Sequence, residues 1–290
     1  MLETRSMSVV VPNPHARATP GDQAAGLRSL FARRALRILP VLPAGDPAGQ
    51  GCCAALLARE IAATGRQVIL LDETGACARP LGVKARHDLL TLIEGEQEFE
   101  GVAVRAAPNL RYVAAGEGLP VLINADAAGE QFFHGFLNLN EPADTLVLNL
   151  AGTPSPQGAM WLPGLAASAP HLLVAGIADA DLTGAYAAIK QAYSGARVPP
   201  AFRLLVSGAA SERAARQVAA KIAEAARRFL NAQVEYAGFV PPNAAGTPLG
   251  RGLQANAYPE AVQSINRLGR ESASWPLAEC VADTESSHPN

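Results

Sequence analysis

Three observations predict an α/β fold with a single doubly wound, mostly parallel sheet flanked by helices on both faces. Short β-type apolar runs alternate with helical runs along most of the chain. The run Thr145–Leu150 (TLVLNL) is apolar apart from Asn149, as expected of a parallel strand covered on both faces. A glycine-rich stretch, 43–51, lies between the first β-type run and the first long helical run, where such folds seat phosphate on a helix N-terminus.

Residues 1–20 hold three prolines and no sustained period, and read as a disordered segment. Residues 21–37 form a separate short element. Asp22 is a cap or first-turn acid, and Leu27, Leu30 and Phe31 share one helical face. This piece either packs back on its own domain or presents a helix to a partner. The domain proper is expected over 38–270. It opens with a strand over 36–42, a loop over 43–51, a helix over about 52–64 and a strand over 67–72. A short helix (88–93), a strand (110–114), a helix (130–139) and a strand (145–150) follow. Next come a strand (171–177), a helix (182–193), a strand (202–207), a helix (210–230), a strand (234–238) and a last helix (260–268). Residues 271–290 read as an acidic flexible tail, with Glu271, Glu279, Asp283 and Glu285 and no Lys or Arg.

The chain has 290 residues, 49% of them apolar and 17% charged, enough for one large domain with loose ends. A net charge of −2 argues against a dedicated nucleic-acid binder. Cys52, Cys53, Cys77 and Cys280 show no metal-ligand spacing and are expected to be free thiols. No apolar run reaches membrane-spanning or signal-peptide form, so a cytoplasmic location is expected.

Two site readings compete. In the first, Gly45, Gly49 and Gly51 make a dinucleotide loop and Asp72 is a ribose-binding acid. Asn149-Leu150-Ala151-Gly152 and the Tyr186/Lys190 pair then resemble short-chain dehydrogenase motifs, an NAD(P)-dependent alternative. The spacing is against it: only about one strand and one helix separate Asn149 from Tyr186, and Ala175 to Ala178 supplies no catalytic serine.

In the second, Asp22-Gln23-Ala24-Ala25-Gly26-Leu27-Arg28 resembles the Asp-Gln-Ala-x-x-Leu-Arg motif preceding the ATPase domain of the FlhG/FleN family. These are MinD/ParA-type deviant Walker ATPases that set flagellar number and placement. Gly65 to Asp72, Leu89 to Glu96, Leu182 to Lys190 and Glu235 to Pro241 are similar to further family segments in the same order. The heptad at 22–28 speaks against partitioning or cellulose-synthesis relatives of this fold. The resemblance implies ATP and Mg2+ as the family ligand, with Gly45, Gly49, Gln50, Gly51, Cys52 and Asp72 at the cofactor positions. It implies a contact set of Asp22, Gln23, Leu27, Arg28, Leu30 and Phe31 for FlhF, a signal-recognition-type GTPase, and allows a flagellar transcription regulator as a second partner. A place at the cell pole or flagellar base follows from the same resemblance.

The departures fall on the chemistry. The family's Lys-Gly-Gly-Val-Gly-Lys-Thr stands where this chain has Gly45-Asp46-Pro47-Ala48-Gly49-Gln50-Gly51. Both lysines and the magnesium hydroxyl are replaced, and Asp46 sets a negative charge beside the phosphate path. Thr74, Asn149-Leu150 and Ser207 replace the family's second acid, its Asp-Thr pair and its adenine-reading asparagine. Phosphoryl transfer rests on positioning and charge neutralisation, so a pseudo-ATPase is expected, without ATP-driven dimerisation. Pro276 interrupts the segment after Trp275 and no basic face follows, so at most weak membrane attachment is expected.

Overall fold

The computed structural model describes residues 37–124, 143–152, 170–193, 200–242 and 259–271. The expected helix over 130–139, the segment 1–36 with its heptad, and the tail beyond Glu271 lie outside the described residues. Those described form a mostly parallel sheet, with strands β1 (Arg37–Ala44), β2 (Val68–Asp72), β3 (Val104–Ala107), β4 (Leu110–Ala114), β5 (Thr145–Asn149), β6 (His171–Ala175), β7 (Phe202–Ser207) and β8 (Val234–Val240). Their spatial order is β3-β4-β2-β5-β1-β6-β7-β8, and only β3 runs antiparallel to its neighbour. The long helices are α1 (Pro47–Ala63), α6 (Asp179–Tyr193), α7 (Glu212–Leu230) and α8 (Pro259–Glu271). Shorter helices are α2 (Ala78–Leu81), α3 (Leu89–Ile93), α4 (Phe99–Val102) and α5 (Gly118–Asn124).

Alternation within the strands feeds two cores, one on each face of the sheet. Ile38 and Leu42 of β1 join Leu71, Leu148 and Val206 beneath α6 and α7. Leu39 and Val41 join Leu70, Val147 and Leu205 beneath α1 and α8. β1 is central although it carries Pro40 and Pro43, which remove two ladder donors. Burial of its flanking residues on both faces outweighs that loss.

The layers follow from simple amphipathic rules. α7 buries Ala215, Ala219, Ile222 and Ala226, at i, i+4, i+7 and i+11, and turns its arginines to solvent. Ser211 caps its first turn by accepting from the Ala214 N–H, and Asn231 ends it in the left-handed region at φ 52°.

The main correction falls at the loop. The expected loop over 43–51 is much shorter, because α1 begins at Pro47 and takes Gly49, Gln50 and Gly51 into its first turns. Asp46 is the N-cap and Pro47 the first helical residue, a pairing that starts helices because neither position needs its own N–H bonded. Three glycines so close together outweighed that signal in the reading from sequence. The short β3, α2, α4 and α5 have too few residues to show a period, and the sequence reading misses them. No helix among the described residues is long and apolar enough to cross a membrane.

Candidate nucleotide-type site at the β1 to α1 turn

β1 ends in Gly45, whose φ of +106° is a conformation that glycine adopts freely. A Cβ there would run into the Asp181 carboxylate, which is pinned by the Ala178 N–H at 2.9 Å. Asp46 follows. Its Oδ1 accepts the Gly49 N–H at 2.9 Å and its Oδ2 accepts the Ser207 hydroxyl at 2.9 Å. The first turn of α1 is an anion site by its dipole and free N–H groups. Here the chain's own carboxylate takes that position, closed from above by the end of β7.

Beneath the cap lies a buried polar chain. Gln50 is fully buried, and its Nε2 donates to the Leu150 carbonyl (2.7 Å), Asn149 Oδ1 (2.9 Å) and the Val41 carbonyl (3.3 Å). Three oxygens around one terminal atom fix the amide orientation, since a flip would face oxygen to oxygen. Gln50 Oε1 finds no donor among the described residues. Asn149 Nδ2 donates to Asp72 Oδ1 and to Thr74 Oγ, both at 2.8 Å. Thr74 donates to Asp72 Oδ1 at 2.9 Å. Asp72 Oδ2 accepts the Cys77 N–H (2.8 Å) and the Tyr112 hydroxyl (3.2 Å). Four donors thus converge on one carboxylate that is only 1% exposed. The strand order makes this chain possible, because β5 lies between β1 and β2 and sets Asn149 level with both Val41 and Asp72.

Gly51 completes the closure. A Cβ there would collide with the Ala76 side chain and come within 2.6 Å of the Ala76 carbonyl carbon, so the turn after β2 leaves no room for a side chain at this position. Cys52, Cys53 and Cys77 are buried free thiols packed into the α1 core. Burial first, and then the Asp46 charge, pushes the Cys52 thiol up to about 12. Of the six cofactor positions expected from sequence, Gln50 and Asp72 are joined through Asn149, while Cys52 faces the core. Tyr112 and Asp181 were not read as site residues. Neither stands in a motif, and only the register of β4 beside β2 and the start of α6 beside Gly45 bring them in.

At the rim, Glu73 Oε2 accepts the Ala151 N–H at 2.7 Å. Burial raises the Glu73 carboxyl above its ordinary value, the Ala151 bond pulls it back, and the Asp72 charge adds to the rise. The folded state therefore holds this proton more tightly than the unfolded chain. Stability from this group is greatest below the ordinary glutamate value and is lost as pH rises from there through the raised folded value. Thermal unfolding of Glu73→Gln, followed across the weakly acidic range, is expected to lack that decline.

The order β2-β5-β1-β6-β7-β8 excludes the dinucleotide reading, in which the first two strands are neighbours. Tyr186 packs edge-on against Phe229 with ring centroids 6.4 Å apart and Lys190 is exposed on the same helix, so the pair does not face the loop. The fold matches that of solved MinD and ParA proteins. A ParA family ATPase from Chlorobium tepidum TLS superposes with a TM-score of 0.56 at 13% identity, over 82% of this chain and 98% of that one. MinD from Pyrococcus horikoshii OT3, complexed with Mg-ADP, superposes with a TM-score of 0.53 at 16% identity, over 81% and 95%. In sequence the chain is similar to FleN. It is 26% identical over 229 residues to the antiactivator FleN of Pseudomonas aeruginosa PAO1, 76% of this chain and 80% of that protein. No family model matches the chain.

Proposed function

We propose that this chain is a regulator of flagellar biosynthesis, setting flagellar number or placement, that acts by binding proteins and not by turning over ATP. One observation carries the second half of that reading. Where the family ligand would supply phosphate and magnesium, the anion position of α1 is filled by Asp46, and the polar chain from Gln50 through Asn149 to Asp72 is bonded internally except at Gln50 Oε1. The likeness to an antiactivator supports the first half. Asp72 in this reading is structural, and Gly45, Gly49, Gln50, Gly51 and Cys52 are remnants of a cofactor site.

The partner surface is the heptad segment, with Asp22, Gln23, Leu27 and Arg28 as polar and apolar contacts and Leu30 and Phe31 as anchors. The partner is an FlhF-like signal-recognition-type GTPase, and the mode is a helix laid in a groove. A flagellar transcription regulator is the second partner that the antiactivator likeness suggests. The test is GTP turnover by FlhF with the full chain, wild type against Gln23→Ala. The wild type is expected to raise turnover by roughly tenfold or more, and Gln23→Ala to lose most of the gain, with equal results whether or not ATP is added. A wild-type chain that leaves FlhF turnover unchanged removes the partner assignment.

A further inference from the structure

The solvent side of α7 is cationic and carries an uncovered aromatic ring. Arg213, Lys221, Arg227 and Arg228 are exposed and have no ion-pair partner among the described residues, while Arg216 is paired with Glu212. Glu224 is the only other acid on the helix. Phe229 is 65% exposed. It is held in place all the same, with the Arg228 guanidinium 5.3 Å from its centroid and the Tyr186 ring edge-on at 6.4 Å. A fixed, exposed ring among unpaired guanidinium groups suits an acidic segment that carries an aromatic or aliphatic anchor.

The chain itself contains such a segment. Residues 272–290 hold Glu279, Asp283 and Glu285 with no Lys or Arg, and Trp275, Leu277 and Val281 lie among them. This segment leaves the fold from α8, on the opposite face of the sheet from α7, at the end of the sheet where β7 and β8 begin and α7 finishes. Arg203 of β7 pairs with Glu235, the second residue of β8, at 2.7 Å and reaches Glu271, the last residue of α8, at 3.9 Å. Phe229 precedes Glu235 by six residues, which span at most about 20 Å, while the chain from Glu271 reaches about 14 Å to Trp275 and about 20 Å to Leu277 when extended, before the side chains add their own length.

We propose that residues 272–290 dock on the outward face of α7, with Trp275 or Leu277 against Phe229 and the three acids against Lys221, Arg227 and Arg228. Tethering makes this contact effective even when it is intrinsically weak, because a short linker supplies an effective concentration of about 1 mM. Docking covers the one large exposed aromatic side chain of α7. Any acidic protein seeking that face must then displace the tail.

Hydrogen exchange on the full chain tests this. Amides of 272–290 are expected to exchange roughly tenfold more slowly than in an unstructured peptide. The slowing is expected to vanish in R227E/R228E, and to weaken as salt rises from about 0.05 to about 0.5 M. W275S, which changes the tail and leaves α7 intact, should lose the same slowing and speed exchange around Phe229. Exchange of the strands reports whether each variant is folded. Tail amides exchanging at unstructured rates in the wild type overturn the proposal. So does protection that survives R227E/R228E in a folded chain, or that appears only as protein concentration rises, which would put the tail on another molecule.

Discussion

Replacing Asp72 with alanine is expected to lower the unfolding free energy by about 3–5 kcal/mol, as for other losses of one partner from a buried charged network. The substitution takes away the acceptor for the Cys77 N–H, the Tyr112 hydroxyl, the Thr74 hydroxyl and the Asn149 amide at once. Three of these are not well placed to meet water, since Cys77, Tyr112 and Asn149 are themselves buried. Asn149 then loosens, and with it the hold on Gln50 at the floor of the β1 to α1 turn. Asp72→Asn keeps the shape but turns an amide N–H toward one of the donors, so its cost is smaller, about 1–3 kcal/mol. Urea unfolding of both variants checks the order. Equal and small costs would mean that the carboxylate is not the hub of this network.

The second large effect concerns rebuilding the loop. Gln50→Lys combined with Gly51→Thr restores the two most familiar residues of a phosphate-binding loop, yet the doubly substituted chain is expected to remain without ATP turnover and to lose stability. Threonine at position 51 must push Ala76 aside, and Ala76 belongs to a turn tied down by its own N–H to Thr74 and by Cys77 to Asp72. Overpacking of that kind costs about 1–3 kcal/mol. Lysine at position 50 places an ammonium among Val41, Leu150 and Asn149 oxygens, where it is held inward by the floor of the site. Asp46 still occupies the helix N-terminus and repels a triphosphate from it. Urea unfolding together with a phosphate-release assay decides. Turnover above the background without protein in the double variant would show that two side chains, and not the closed turn, are what silences the site.

The fold was largely legible from sequence because its evidence is redundant. Strands buried on both faces, such as Val68–Asp72 and Thr145–Asn149, announce themselves as apolar runs, and the structure places them within a residue of the expected bounds. Amphipathic helices such as α7 do the same through their period, although α7 begins at Glu212 after its Ser211 cap and not at the expected 210. The arrangement of residues around the β1 to α1 turn was not legible in the same way. Gln50 was read as a lost lysine in a loop, whereas it is a helical residue whose amide fills that space with hydrogen bonds. That difference hangs on the Asp46-Pro47 helix start. Tyr112, by contrast, reaches Asp72 across 40 residues of sequence, and only the pairing of β4 with β2 shows it.

Titration of the full chain with ATP and Mg2+ by calorimetry tests the central claim most directly. A chain whose anion position is already taken by Asp46 should give no saturable binding up to about 1 mM nucleotide. Saturable binding with a Kd of about 1–10 μM, abolished in the absence of Mg2+, would contradict it.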